Sequence, residues 1–297
     1  MTRTDTPVVW LLRAAWVTLP LTSGGALSDA LTSWSDPSRA VAATLLWSAW
    51  GLGSVALFAP RPAGLTFVRA AAPVVLVVIV VASRDRDTEA MVAVAVAGLT
   101  FVLALAPPFA FAAANGPAYG DEIRFPLRIP PALFFAPLPL AVLVVATGVA
   151  TGPLLLGAQR WGWGLLATAL GLPLAAIAAR SLHGLSRRWA VLVPAGVVLA
   201  DPATLDDPVL FRTERISELR PVEAGARPSG SVVDLRLGAN RGGVELVLNA
   251  ETDMLLVRRG RNRSELAPTR TLWFCVQRRD RFLGSARGRR PMADSGR

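Results

Sequence analysis

The chain of 297 residues contains no lysine, one cysteine and one histidine. With Cys275 and His183 alone, it cannot form an intramolecular disulfide, a zinc site built from Cys and His, or a Cys–His catalytic pair from neighbouring motifs. All 31 basic residues are arginine. Since arginine codons are G/C-rich and lysine codons are not, this bias indicates a high-GC bacterial genome and carries no chemistry.

Charge is also scarce, because only 18% of the residues are charged whereas 53% are apolar, with a mean hydropathy of +0.45. These values exclude a disordered chain, a collagen-like chain and a disulfide-rich miniprotein, and the long apolar runs predict that most of the chain faces lipid. Residues 1–183 hold 11 arginines against 8 acidic residues, and residues 184–297 hold 20 against 13. We therefore predict a membrane domain over 1–183, a cytoplasmic domain over 184–290 and a disordered tail over 291–297.

Six segments are apolar over about the 20 residues that a membrane-spanning helix needs. They are Val8–Leu27, Val41–Phe58, Leu65–Ala82, Met91–Phe111, Leu133–Leu156 and Gly164–Ala179. The first is the weakest, because Arg13, Pro20 and a pair of glycines interrupt it. Arg13 would also break the apolar centre of a signal peptide, so we expect a retained helix, with cleavage as the alternative.

The arginines of the connections are biased toward the side that holds the N-terminus, which predicts that both termini are cytoplasmic in a bacterial inner membrane. The arginines on that side are Arg3, Arg61, Arg124, Arg128, Arg180, Arg187 and Arg188. A free Cys275 suits the reducing cytoplasm.

Few ionisable residues fall within the predicted spans. Arg13, Asp29, Arg69 and Arg180 all lie near predicted helix ends, and we interpret them as interfacial side chains, with Arg13 extending to the interface. The rival hypothesis is a small-molecule transporter or membrane enzyme whose site lies among the proline-containing fourth to sixth helices.

Two motifs of small residues occur in the last two spans, Gly148-x-x-x-Gly152 and Ala167-x-x-x-Gly171. They favour close packing of helices within the chain, with association of two copies as the alternative. The connection Asn115–Pro130 alternates charged and apolar residues before two prolines, and we expect it to be a loop at the cytoplasmic interface.

From Arg187 onward, short apolar stretches alternate with turn residues, which is typical of a small antiparallel β domain. The seven predicted strands are Arg188–Pro194, Gly196–Asp201, Pro208–Arg212, Ser231–Leu237, Gly243–Leu248, Met254–Arg258 and Thr271–Val276. Residues 238–243 are expected to turn between the fourth and fifth of these strands. A helix over Asp280–Arg287 is expected to follow.

Three parts of this domain carry a family resemblance: the opening 187–199, the pattern of Val209, Ile216 and Leu219, and the closing Arg281-Phe-Leu-x-x-x-Arg287. They are similar to bacterial, actinobacterial-type multi-pass membrane proteins in which a pleckstrin-homology-like (PH-like) domain follows the helices. The resemblance implies a PH-like barrel or sandwich with a C-terminal helix, and a role in binding or assembly. The Pro- and Gly-rich connection 220–230 departs from a compact barrel.

Arginine clusters supply the candidate site, which consists of Arg258, Arg259, Arg261, Arg263, Arg278 and Arg279. Next to a membrane, such clusters attract anionic lipid headgroups, at about 1 kcal/mol per residue. A protein partner is an open alternative, and a solvated turn and tail is the structural one. Nucleic acid is disfavoured, because the nearby aromatics, Trp273 and Phe274, fall in a strand.

No other motif indicates chemistry. Asp201, Asp206 and Asp207 could meet a cation but more simply form turns beside prolines. His183 has no evident partner triad, so we interpret it as interfacial. The sequence thus predicts six transmembrane helices followed by a cytoplasmic PH-like β domain, without a cofactor, a metal or an evident catalytic activity.

Overall fold

The computed structural model describes residues 5–83, 87–229, 232–257 and 264–289. The chain forms two compact units. The helical unit consists of Met1–Gly116 and Ala136–His183, and the β unit consists of Pro117–Phe135 and Gly184–Arg297. The β unit thus draws on two separate segments of the chain, whereas the sequence-based division placed one boundary at residue 183.

The helical unit is built from long apolar helices. These are α1 (Asp5–Ala30), α2 (Asp36–Phe58), α3 (Pro62–Ala82), α4 (Thr88–Leu105), α7 (Pro137–Gly157) and α8 (Trp161–Ser186), together with the shorter α5 (Pro107–Asn115), whereas the short α6 (Ala132–Phe135) before α7 belongs to the β unit. Five of them, α2, α3, α4, α7 and α8, are long and apolar enough to cross a bilayer. The structure therefore agrees with the prediction of a multi-pass membrane protein, but with five such helices among the described residues where six were predicted.

The first helix, α1, is long but falls outside that set. Leu12 and Trp16 on α1 are fully buried in a core cluster that also contains residues of α3 and α4. The Nε of Arg13 donates a hydrogen bond of 3.1 Å to the carbonyl of Leu57 in the last turn of α2, and its guanidinium lies over the rings of Trp10 and Phe58. Arg13 thus has partners within the helical unit, and its extension to the interface stays a prediction.

The predicted fourth span is divided into two helices. Pro107, which has no N–H group, begins α5 directly after α4 ends, and this leaves carbonyls at the end of α4 without helical partners. Arg69 supplies donors, since its Nε lies 3.3 Å from the carbonyl oxygen of Ala104. A cation at this position also suits the negative end of the helix dipole. Arg69 therefore caps a neighbouring helix, and its interfacial position stays a prediction.

The small residues of α7 pack against α8 of the same chain. A Cβ atom on Gly148 would overlap the carbonyl oxygen of Gly171, and one on Gly152 would overlap the side chain of Thr168. Close contact between the two backbones thus requires glycine, as expected for packing within the chain.

Besides α6, the β unit contains eight described strands and a further α-helix. They are β1 (Ile123–Pro126), β2 (Trp189–Val193), β3 (Gly196–Ala200), β4 (Val209–Arg212), β5 (Ile216–Val222), β6 (Val232–Asp234), β7 (Gly243–Val257), β8 (Ser264–Cys275) and α9 (Arg279–Arg289). One sheet has the order β1-β2-β3-β4, and the other has the order β5-β7-β8-β6. Among the described residues, the two sheets do not close into a barrel.

Three sequence-based expectations for these strands are wrong. The connection Asn115–Pro130 is not only a loop, because it supplies β1, which pairs with β2. The predicted strands 243–248 and 254–258 belong to one strand, β7, with a bulge between Val247 and Thr252. Residues 238–243 do not form a hairpin turn between paired strands, since β6 pairs in parallel with β8.

Aromatic rings join the parts of the β unit. Phe282 on α9 packs edge to face with Phe125 on β1 and Phe274 on β8, at centroid distances of 5.2 and 5.8 Å. All three side chains are buried, so α9 fastens one sheet to the other.

Candidate functional site

Of the six arginines predicted as a binding site, two are among the described residues. Arg258, Arg259, Arg261 and Arg263 lie outside the described residues. The residues on either side of them, Val257 and Ser264, pair with each other at one end of the β7–β8 ribbon.

The other two predicted arginines follow the opposite end of that ribbon. Arg278 comes shortly after β8, and Arg279 is the first residue of α9. Because β8 has 12 residues, at about 3.3 Å each its two ends lie up to about 40 Å apart along the strand. Arg278 and Arg279 therefore lie far from Val257 and Ser264, the residues that flank 258–263.

Arg279 is engaged by its own unit. Its Nε lies 3.1 Å from Oδ1 of Asp280, and its Nη1 donates to the carbonyl of Val222 at 3.4 Å. Arg278 is half-buried and also has interaction partners. These two arginines are thus held in place by the fold, which favours a structural role for them.

The end of the ribbon beside residues 258–263 carries an exposed apolar face. Leu255 and Leu266 are directly paired across the two strands and are 40% and 59% exposed, and Val257, also 40% exposed, lies two residues further along the same face. We call these three residues the arm patch. On the opposite face Met254 is buried, and the backbone at Leu256 forms a β-bridge with Leu205 along the free edge of β7. One face and one edge of this end of β7 are therefore held by the rest of the β unit.

A row of polar side chains crosses the sheet of β5, β7, β8 and β6. Arg220 contacts Glu245, and Nε1 of Trp273 donates to Oε1 of Glu245 at 2.8 Å. The guanidinium of Arg236 lies 4.5 Å from the Trp273 ring centroid and binds Asp234 at 2.8 Å. Burial raises the pKa of Glu245. The hydrogen bonds from Arg220 and Trp273 and the charge of Arg220 together lower it by more than burial raises it, so the pKa lies below its ordinary value. Sequence reasoning missed this row, because its members are adjacent only after strand pairing.

A buried ion pair joins β2 to the end of β3. Arg188 donates to both carboxylate oxygens of Asp201, at 2.6 and 2.8 Å, and to the carbonyl of Arg128 at 3.1 Å. Both side chains are almost inaccessible to solvent. The carboxylate of Asp201 is therefore used internally, in agreement with the turn interpretation rather than a cation site. Within the described ranges, no group of three His, Cys, Asp or Glu side chains could hold a metal ion.

Cys275 and His183, the only cysteine and histidine of the sequence, both have contacts within their own units. Cys275 is buried and its Sγ contacts the carbonyl of Ala239 at 3.2 Å. Burial raises the pKa of the Cys275 thiol to about 11, although nearby Arg236 and Arg128 oppose the rise. Nδ1 of His183 lies 3.1 Å from Oγ1 of Thr66 on α3, so His183 contacts a helix of its own unit. Neither residue is arranged as an activated nucleophile or base.

No family model, curated protein or solved structure matches this chain.

Proposed function

We propose that this protein is a bacterial inner-membrane protein whose β unit binds the anionic surface of a membrane through the end of the β7–β8 ribbon. In this proposal α1 is a sixth span, both termini are cytoplasmic, and the β unit is a PH-like module. Leu12 and Trp16 of α1 are buried among the other helices, which supports α1 as a span. A helix that is partly covered by protein exposes less of its surface to lipid, so it can cross the membrane with fewer apolar residues. Two sheets fastened by a C-terminal helix support the PH-like assignment.

The observation that carries the proposal is the arm patch beside the arginine-rich stretch. Leu255, Val257 and Leu266 leave apolar surface in solvent, and Arg258, Arg259, Arg261 and Arg263 follow within a few residues of Val257. Apolar side chains adjoining several arginines match the interface of an anionic bilayer, where the headgroups attract the cations and the acyl boundary accepts the apolar groups.

The rival hypothesis of a transporter or membrane enzyme has less support. It places a site among the proline-containing fourth to sixth spans, which correspond to α4, α5, α7 and α8. A cavity that the described helices form is lined by α1, α2 and α3 and is mostly apolar. Neither its position nor its lining matches that hypothesis.

A vesicle-capture experiment tests the proposal with the full chain. The protein is placed in nanodiscs of phosphatidylcholine and exposed to vesicles with or without phosphatidylglycerol. We expect capture only of the anionic vesicles, with loss of capture at high salt. Replacing Arg258, Arg259, Arg261 and Arg263 by alanine should weaken capture by roughly 100-fold or more, since each arginine contributes about 1 kcal/mol.

A matched variant separates a local site from general attraction by charge. Replacing four exposed arginines elsewhere in the β unit, Arg212, Arg215, Arg227 and Arg241, removes the same charge and should have a much smaller effect. Replacing Leu255 and Leu266 by serine should also weaken capture, because the apolar contribution is lost. Equal losses in the two four-arginine variants, or capture that ignores lipid charge, would contradict the proposal.

A further inference from the structure

The helical unit contains a cavity of about 360 Å³ between α1, α2 and α3. Its inner part is formed by Trp16 and Leu19 of α1, Trp50 of α2 and Ile79 of α3. Ser28, Arg39 and Trp47 belong to its lining and are exposed, so the cavity opens to the surroundings on that side. It is more than twice the size of the roughly 150 Å³ apolar cavity that takes up benzene in another protein.

The inner walls of this cavity offer little to a polar ligand. The indole N–H of Trp16 donates to the carbonyl of Trp50 at 2.9 Å, and that of Trp50 donates to the carbonyl of Trp16 at 3.1 Å. The hydroxyl of Ser23 is bonded to the carbonyl of Leu19 in its own helix. Since these donors are already used, a sugar, an amino acid or an ion would lose its hydration without replacement, whereas a hydrocarbon chain would lose nothing.

The dimensions and the charge of the cavity both fit one class of molecule. At about 1.5 Å per residue, the stretch of α2 from Arg39 to Trp50 is about 16 Å long, close to the roughly 15 Å of hydrocarbon in one leaflet. Arg39 is the cation of the lining, and it lies at the open end near the beginning of α2. It contacts Asp36 there, but a guanidinium has five N–H donors, so donors remain for a phosphate.

We propose that this groove binds one acyl chain of a membrane phospholipid, with the lipid phosphate at Arg39 and the chain running inward to Trp16 and Trp50. This proposal is independent of the β unit and of the function proposed for it. The groove gives the helical unit a specific lipid site, apart from the general contact with lipid along its outer faces.

Two adjacent glycines of α1 provide a test with a matched control. Gly24 lines the groove and Gly25 does not, and a Cβ atom on either would meet no atom within 4 Å. Gly24→Leu should therefore place its side chain in the groove from a Cβ position that has free space, whereas Gly25→Leu adds the same side chain outside it. The full chain in nanodiscs is irradiated with a trace of phospholipid that carries a diazirine on its acyl chain, and the crosslinked peptides are mapped.

We expect crosslinks in the wild type to concentrate on residues 16–50 and 75–79, to fall by about tenfold in Gly24→Leu, and to persist in Gly25→Leu. Arg39→Gln should retain the crosslinks but lose the preference for a phospholipid over an uncharged diacylglycerol probe. If Gly24→Leu does not fold, Ala43→Leu fills the same groove from α2. Crosslinks spread evenly over all helices, or unchanged in a folded groove-filling variant, would overturn the proposal.

Discussion

At the scale of single residues, several arginines serve as internal donors or ring contacts in this fold. Arg13 and Arg69 bind carbonyls at the ends of neighbouring helices, and Arg188 is buried against Asp201. Arg236 covers Trp273. Arginine suits these roles because its planar guanidinium keeps its charge and directs several N–H groups at once. These four arginines are therefore part of the internal structure rather than of a free binding surface.

The raised pKa of Cys275 predicts low thiol reactivity at neutral pH. Burial favours the uncharged thiol, so the folded state gains stability from it below the ordinary pKa of 9.0 and loses that contribution as the pH rises toward about 11. We expect the native protein to react with iodoacetamide at least about tenfold more slowly than the unfolded chain at pH 8. Cys275→Ser supplies the unlabelled background, and equal rates in the native and unfolded protein would show that the thiol is accessible.

At the scale of elements, close contacts between backbones decide the helix packing. The α7–α8 pair depends on Gly148 and Gly171, and α4 ends where Pro107 interrupts the hydrogen-bond ladder. In the β unit, the bulge in β7 lets one strand serve both the sheet and the ribbon.

Replacement of Gly148 by leucine should therefore destabilise the helical unit. The new side chain would overlap the backbone of α8, which typically costs about 1–3 kcal/mol. Gly98→Leu on α4 is the control, because a Cβ atom there meets nothing within 4 Å. Thermal unfolding of the full chain in detergent should show a lower midpoint for the first variant only. Equal midpoints would mean that close packing of α7 against α8 does not contribute to the stability of the helical unit.

At the scale of the whole molecule, the two compact units are interleaved along the chain. The helical unit is interrupted by residues 117–135, which belong to the β unit and provide β1 with its buried Phe125. The β unit is therefore not simply a tail that follows the last helix.

A fragment of residues 184–297 should consequently fold poorly. The fragment lacks β1, so one edge of β2 is unpaired. It also lacks Phe125, which leaves a cavity beside Phe282, and the loss of stability should be comparable to the roughly 3–5 kcal/mol of a Phe→Ala substitution. Joining residues 117–135 to its N-terminus through a flexible linker should restore a monomeric product with dispersed NMR signals. A well-folded fragment without that segment would show that β1 is dispensable.

Local sequence patterns alone determined several features of this protein. Long apolar runs and sparse charge predicted the membrane helices, and short apolar stretches bounded by turn residues predicted the strands β2 and β3. Other features depend on residues that are distant in the chain, and only the tertiary structure decided them. Phe125 joins a strand 65 residues further on, and Arg69 caps a helix 35 residues away. No local period encodes such contacts, because they form only when separate elements bring their unpaired backbone groups and apolar faces together.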